Sequence, residues 1–216
     1  MNFEYACFIS YRHLGGDMKS FINKFCSRLD EKLSLELEGD QRLFLDVERM
    51  KPGYVLDENI KQALCKCCCM IVIYTRSYLS ANHPYCAREL SAMLKLEAKR
   101  RQILERADVG LIIPVILSGK EEEIPRVLRE NRIYSTDFLQ FTRLGFRNLT
   151  ASQRRKFEEA THIIADRVRE CLNDLKDYEN DDSVDFSLPS ADDESVKILM
   201  EEGYLDFEDK KDQFIN

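Results

Sequence analysis

The amino-acid sequence predicts an α/β protein built on a doubly wound parallel sheet of five strands, with helices covering both faces. Three observations lead to this fold class. Short apolar runs alternate with helical patterns, the runs are apolar on both faces, and turn-forming residues separate them. Strands that are buried on both faces are almost continuously apolar, which is typical of parallel sheets. Parallel strands need crossovers, and the intervening helices supply them.

The first half of the chain contains three predicted strand–helix units. The predicted strands are residues 4–11, 42–46 and 70–74. The first two are followed by apolar residues at helical spacing, and the long third helix is predicted to open at Pro84 and to run toward Arg101. The first helix shows the spacing most clearly, with apolar residues four positions apart at Phe21, Phe25, Leu29 and Leu33.

The second half continues the same alternation. Residues 109–116 predict a fourth strand, residues 124–131 a short helix and residues 133–138 a fifth strand. Thr150 and Gln153 have the spacing of a capping box and predict the start of a last long helix. This order of elements is that of a flavodoxin-like architecture, and we expect residues 1–176 to form one domain.

The C-terminal segment differs from the rest of the chain in charge. Residues 177–216 contain 14 acidic and 3 basic side chains, a net charge of −11, whereas the preceding residues carry +4 of the total of −7. This composition predicts a partly disordered acidic tail outside the fold, with one helix near residues 193–202. The body has no concentrated basic stripe, so nucleic acid is not an expected partner.

Composition indicates a soluble cytoplasmic protein. No apolar run approaches the roughly 18 residues of a membrane helix, and no export signal is visible at the N-terminus. Four of the eight cysteines crowd into residues 65–69, too close together for independent disulfides and without a second ligand pair elsewhere at zinc spacing. We therefore expect these cysteines to pack in the core and expect no metal.

Ligands of such sheets bind beyond the carboxyl ends of the strands. Three motifs lie there in order, at residues 8–12 (FISYR), 44–53 (FLDVERMKPG) and 77–90, the last containing SYLS and YCAREL. Together they resemble the conserved boxes of TIR (Toll/interleukin-1 receptor) domains, over about residues 4–175. The resemblance implies the TIR fold.

TIR domains divide into enzymes that cleave NAD+ and adaptors that only assemble. The resemblance to the enzymes places their catalytic glutamate at Glu89, with the aromatic Tyr85 one turn earlier on the same helical face. It implies cleavage of the nicotinamide–ribose bond to ADP-ribose or a cyclic product, with NAD+ as substrate and no cofactor. Glu89 either stabilises the developing sugar cation or traps it covalently.

Other residues at this edge are candidate substrate contacts. Arg12 and Lys51 suit a pyrophosphate, and tyrosine rings suit stacking. Asp46 either orients its loop or contacts substrate. The complete predicted substrate-binding set is Ser10, Tyr11, Arg12, Asp46, Lys51, Tyr54 and Tyr85.

The main alternative to an enzyme is an adaptor acting through TIR–TIR assembly. A phosphorylated receiver domain is disfavoured, because the first strand is followed by Tyr11 and Arg12 rather than by an acidic pair. Related TIR domains also assemble through the loop at residues 47–54, so we expect a homo-oligomer. The chain further resembles the signal-making TIR proteins of bacterial anti-phage defence, which implies a separate sensor or effector partner.

Overall fold

The computed structural model describes residues 3–12, 16–36, 42–45, 56–102, 110–129, 138–142, 149–179 and 186–211. Within them, four parallel strands form one sheet in the order β2-β1-β3-β4. The strands are β1 (Tyr5–Tyr11), β2 (Arg42–Leu45), β3 (Cys67–Tyr74) and β4 (Ile112–Ile116). The helices are α1 (Asp17–Glu36), α2 (Leu56–Lys66), α3 (Tyr85–Arg101), α4 (Arg126–Arg129), α5 (Leu139–Thr142), α6 (Ala151–Asp174) and α7 (Glu194–Lys211), with a 3-10 turn at Glu121–Glu123.

The prediction of a flavodoxin-like parallel α/β sheet is confirmed. The predicted fifth strand lies outside the described residues, except for Phe138, which is in a turn. The strand order 2-1-3-4 is the flavodoxin-like order and arises when the chain reverses its direction of winding after β2.

Helices cover both faces of the sheet. Successive strand residues point to opposite faces, and β1 shows the two sides directly. Cys7 faces the side of α6 and interacts with Cys69, which in turn interacts with Cys171 of α6. Ser10, on the opposite face, hydrogen-bonds to α3. The helices α1 and α6 pack together, as do α2 and α3.

The eight cysteines are all free and buried, which confirms that they pack in the core. The crowded group spans the junction of two elements, with Cys65 in the last turn of α2 and residues 67–69 in β3. The strand begins three residues earlier than the predicted Met70 because no turn separates it from α2. Burial raises the pKa of the Cys7 thiol, which keeps it protonated near neutral pH.

Arg100 fastens this junction to the long helix α3. Its side chain is fully buried and donates hydrogen bonds to the carbonyls of Cys67 (2.8 Å), Cys68 (2.9 Å) and Cys65 (3.1 Å). The guanidinium also lies 5.0 Å from the centre of the Phe3 ring. A buried charge needs such partners, so this arrangement fixes α3 against the centre of the sheet.

Helix boundaries agree with the local sequence signals. Thr150 and Gln153 form the predicted capping box of α6. Pro84 is the residue before α3 rather than its first helical residue, one position from the prediction. Gly16 has a φ of +69° just before α1, a conformation that glycine adopts without strain.

Residues 186–203 pack against the domain, in contrast to the expectation that they belong to a tail outside the fold. The helix predicted there is present as α7, and Val196 and Leu199 of this helix are buried in the common core. The physical reason is an apolar pair three residues apart on one face, whereas acidic residues such as Glu194 and Glu201 are exposed. The boundary at residue 176 remains a prediction.

No helix in the described part of the chain is both long enough and apolar enough to cross a membrane.

Candidate functional site

The carboxyl ends of β1 and β3 lie side by side at the centre of the sheet, where Tyr11 pairs with Ile73. The chain runs from β1 to β2 on one side and places β3 and β4 on the other. Such a switch point leaves a crevice between diverging crossovers, and ligands of open α/β sheets bind there. The loop that joins β3 to α3, and then the first turns of α3, follow the carboxyl end of β3 in the chain.

Glu89 lies in the second turn of α3 and is buried, with 5% of its surface exposed. Its Oε2 atom accepts a 2.6 Å hydrogen bond from the hydroxyl of Ser10, which is near the end of β1. Burying a carboxylate is costly unless donors replace water, and hydrogen bonds to charged acceptors are the strong ones. Ser10 therefore ties the carboxylate to the centre of the sheet.

Tyr78 extends this contact into a chain of hydrogen bonds. Its hydroxyl lies 2.6 Å from the hydroxyl of Ser10, and its side chain is completely buried. Ser10 has one hydroxyl proton and donates it to Glu89, so Tyr78 is the donor to Ser10. Burial, followed by electrostatic interactions with Cys86 and Glu89, raises the pKa of Tyr78 well above its ordinary value, so the phenol keeps the proton that it donates.

Arg12 joins the end of β1 to the β3–α3 loop. One of its terminal nitrogens donates a 2.8 Å hydrogen bond to the carbonyl of Ser77. The side chain is only partly buried, and a guanidinium has five donors, so it retains donors for a ligand. The neighbouring Tyr11 packs against the core as a partly buried residue, which places its ring at the rim of the sheet.

Tyr85 is the first residue of α3, one turn before Glu89 on the same face of the helix. The residue is 46% exposed, whereas most aromatic residues that the structure describes are buried. The guanidinium of Arg88 lies 5.5 Å from the centre of this ring. An accessible ring next to a buried carboxylate suits a ligand with a flat aromatic group.

The structure thus brings together Ser10, Arg12, Tyr85 and Glu89 among the predicted site residues. Asp46, Lys51 and Tyr54 lie outside the described residues. Among the residues that the structure describes, no group of three or more His, Cys, Asp or Glu side chains is arranged to hold a metal ion.

Sequence reasoning missed two side chains at this edge. Tyr78 lies in the loop after β3, and the rule that ligand sites follow strand ends was sufficient to include it. No signal in the sequence indicated a role for Arg88, because its hydrogen-bond partners Asp57 and Pro189 are far from it in the sequence.

The site can hold a negative charge at a fixed position beside an accessible ring and a cationic side chain. Such an arrangement stabilises positive charge that develops on a bound molecule, provided that the carboxylate does not move. Together, the switch point and this carboxylate give an α/β domain with a candidate small-molecule site at the ends of β1 and β3.

Comparison with known proteins gives the family. A family model described as the TIR domain matches residues 7–150, which include Ser10, Tyr78 and Glu89. The chain belongs to the TIR domain family, as its motifs predicted.

Two individual proteins are similar to this chain. The probable 2′ cyclic ADP-D-ribose synthase BdTIR of Brachypodium distachyon is 30% identical over 128 residues, which cover 58% of this chain and 52% of that protein. The chain therefore spans about half the length of this curated relative. The TIR domains in the structure of the activated Roq1 resistosome directly recognising the pathogen effector XopQ match with a TM-score of 0.42 and 18% identity, over 80% of this chain and 98% of that one.

Proposed function

We propose that this chain cleaves NAD+ at the nicotinamide–ribose bond, with Glu89 as the catalytic residue. The observation that carries the proposal is the carboxylate of Glu89, buried at the switch point and held by Ser10 beside the exposed ring of Tyr85. The relative from Brachypodium supports it, because that protein is named as a probable synthase of a cyclic ADP-ribose.

The chemistry of NAD+ explains why a fixed carboxylate suffices. When the bond between the ribose C1′ and the nicotinamide nitrogen breaks, both bonding electrons go to the nitrogen, and nicotinamide leaves as a neutral molecule. Positive charge then develops on the sugar, and Glu89 stabilises it electrostatically or by covalent capture. Water, or a hydroxyl of the same molecule, attacks C1′ and releases a proton, which gives ADP-ribose or a cyclic product.

The other residues receive roles that match their positions. Tyr85 stacks on a ring of NAD+, and Arg12 binds a phosphate through the donors that Ser77 does not engage. Ser10 is 1% exposed and bonded to both Tyr78 and Glu89, so we assign it to positioning Glu89 in place of the predicted substrate contact. The substrate contacts predicted in the loop after β2 remain predictions, and they are Asp46, Lys51 and Tyr54. Tyr11, at the rim of the sheet, also remains a predicted substrate contact.

The proposal includes a cytoplasmic setting and a homo-oligomer formed through TIR–TIR contacts. In this setting, the cyclic or linear ADP-ribose product serves as an immune signal, as in the anti-phage systems that the motifs resemble, and a separate effector reads it.

The direct test is to incubate the purified chain with NAD+ and to measure nicotinamide release by liquid chromatography over a wide range of protein concentrations. We expect release together with an ADP-ribose product. If no nicotinamide appears at any concentration, including conditions under which the chain forms oligomers by light scattering, the chain is a TIR adaptor.

A further inference from the structure

The C-terminal strap, which we define as residues 186–203, lies along α3 beside the proposed site. Its Pro189 carbonyl accepts a 2.6 Å hydrogen bond from Arg88, and the hydroxyls of Ser195 and Ser91 are 2.8 Å apart. Apolar residues of the strap are buried in the common core. The strap is thus attached to the helix that carries Tyr85 and Glu89.

Arg88 is hydrogen-bonded to neighbouring elements on two sides. Its two terminal nitrogens donate to the carboxylate of Asp57 in α2, at 3.2 and 2.7 Å, and its Nε atom donates to Pro189 of the strap. Only 11% of the arginine side chain is exposed. A guanidinium is planar, so donors engaged on two sides determine the orientation of its plane.

That plane lies beside the ring of Tyr85. The two side chains are three residues apart on α3, the spacing at which helical side chains meet, and the ring centre is 5.5 Å from the guanidinium carbon. Tyr85 is 46% exposed, and the guanidinium of Arg88 is a contact that restricts the motion of its ring. A shift of the strap that displaces Arg88 therefore reaches Tyr85.

We infer that Arg88 is a positioning residue for Tyr85, and that the C-terminal strap is a permanent wall of the site which sets the affinity for NAD+ through this arginine. The inference rests on the proposed function in that Tyr85 stacks on NAD+. The connection from the strap through Arg88 to Tyr85 is itself independent of catalysis, and it is tested without turnover.

The sequence allows a selective probe, because the chain contains no tryptophan. Tyr85→Trp places a single indole at the site, and its fluorescence anisotropy decay measures how freely the ring moves. Arg88→Ala in this background removes the restricting plane, so the fast local motion of the indole should increase. Arg28→Ala is the matched control, since Arg28 forms its ion pairs with Glu31 and Glu158 on the other face of the sheet.

Gly203 offers a second variant that leaves Arg88 intact. A methyl group at this glycine would lie 2.7 Å from the Cβ atom of Leu79 and 3.3 Å from its carbonyl oxygen. Alanine favours the helical state of α7 itself, so Gly203→Ala moves the strap away from the β3–α3 loop without melting it. The indole should become more mobile in this variant too, and circular dichroism should show that helix content is kept.

Arg88→Ala and Gly203→Ala, made in the chain that retains Tyr85, measure the effect on the steady-state kinetics of NAD+ cleavage. Loss of the stacking position weakens binding in the ground state and the transition state alike, so KM should rise about tenfold while kcat changes less than about threefold. If the indole becomes more mobile but neither the unchanged chain nor any variant cleaves NAD+, the proposed function fails and the positioning role stands. If the indole mobility is the same in Arg88→Ala, Gly203→Ala and Arg28→Ala, the positioning role is wrong.

A cross-link separates a permanent wall from a removable cover. The double variant Ser91→Cys/Ser195→Cys joins α3 to the strap where the two hydroxyls already meet, and peptide mapping verifies the disulfide. The oxidised protein should bind and cleave NAD+ within about twofold of its reduced form, because the attached strap is the active arrangement. If oxidation lowers the activity more than about tenfold and dithiothreitol restores it, the strap must open and the inference is overturned.

Discussion

Ser10 donates its hydroxyl proton to Glu89 across 79 residues of sequence, at a distance of 2.6 Å. This contact joins the central strand β1 to the helix α3, and Tyr78 completes it by donating to Ser10. Because all three side chains are buried, the carboxylate has a fixed position before any ligand arrives. Preorganisation of this kind is what electrostatic catalysis requires.

The first prediction concerns this chain of hydrogen bonds. Ser10→Ala leaves the buried carboxylate without its donor, so kcat should fall on the order of 100-fold, whereas Tyr78→Phe removes the outer bond and should lower kcat about tenfold. The KM for NAD+ should change little in both variants, because neither hydroxyl contacts substrate. Steady-state kinetics measure both constants.

Tyr74→Phe is the matched control for these variants. Tyr74 is also buried, but its hydroxyl donates to the carbonyl of Glu123, away from Glu89. Its kcat should remain close to that of the unchanged chain. An equal loss of kcat in Tyr74→Phe and Tyr78→Phe would show that the effect is general destabilisation.

The second prediction concerns stability at alkaline pH. Burial raises the pKa of Tyr78 in the native chain above its ordinary value of 10.0. At a pH between the ordinary pKa and the raised pKa, the unfolded chain therefore loses a proton that the native chain keeps. The free energy of unfolding should therefore fall as pH rises above 10, by up to about 1.4 kcal/mol per pH unit from this group. Urea titrations at pH 9, 10 and 11 should show a smaller decline for Tyr78→Phe.

Buried thiols contribute to the same decline at slightly lower pH. Cys7, Cys69 and Cys171 all have a pKa raised above 9.0, so their contribution is present in both proteins. The difference between the two titration series isolates Tyr78. Identical declines above pH 10 in the variant and the unchanged chain would contradict the raised pKa.

The third prediction concerns Arg100. Arg100→Met replaces the guanidinium by an apolar side chain of similar length, so three buried carbonyls lose this donor. We expect the free energy of unfolding to fall by about 3 kcal/mol or more. Urea denaturation measures the loss. Arg28→Met, which changes a partly exposed arginine, should shift the midpoint little. Similar midpoints for both variants would show that Arg100 does not fasten α3 to the sheet.

The fourth prediction concerns assembly. If the loop at residues 47–54 docks onto a neighbouring subunit, as the resemblance implies, specific activity should rise steeply with protein concentration. Gly53→Val restricts the backbone of this loop and should move the rise to higher concentration. Light scattering recorded beside the assay tests the link, and a monomer with constant specific activity over a hundredfold range would remove the proposal.

The elements and part of the site followed from local patterns, whereas the connections between distant residues did not. Apolar patterns predicted β1 and α1, Pro84 predicted the start of α3, and the motifs placed Glu89 and Tyr85 together on one helical face. The contact between Arg88 and Pro189 joins residues 101 apart, and no periodic signal encodes such a bond. The alternation of the sequence gives the layers of the fold, but side-chain networks depend on how these layers pack.

The C-terminal strap shows how composition misled the prediction. Its high acidic content suggested a separate tail, yet Glu194 and Glu201 are exposed on α7, while Val196 and Leu199 enter the core. Net charge describes the surface of a segment and not the face that it buries. The local helical signal at residues 193–202 was the better guide, and the structure confirms that helix.

The most direct test of the catalytic role of Glu89 is a comparison of Glu89→Gln with Glu97→Gln in steady-state NAD+ cleavage. Both glutamates are buried on α3, but Glu97 accepts a hydrogen bond from the backbone of Leu111, away from Ser10. The proposed mechanism predicts that Glu89→Gln lowers kcat by about 10²–10³ or more with little change in KM, since the amide keeps the shape and loses the charge. Glu97→Gln should cleave NAD+ at nearly the unchanged rate. Cleavage by Glu89→Gln at the rate of Glu97→Gln would contradict the assignment and leave another carboxylate, with Asp46 and Glu48 first, to be tested.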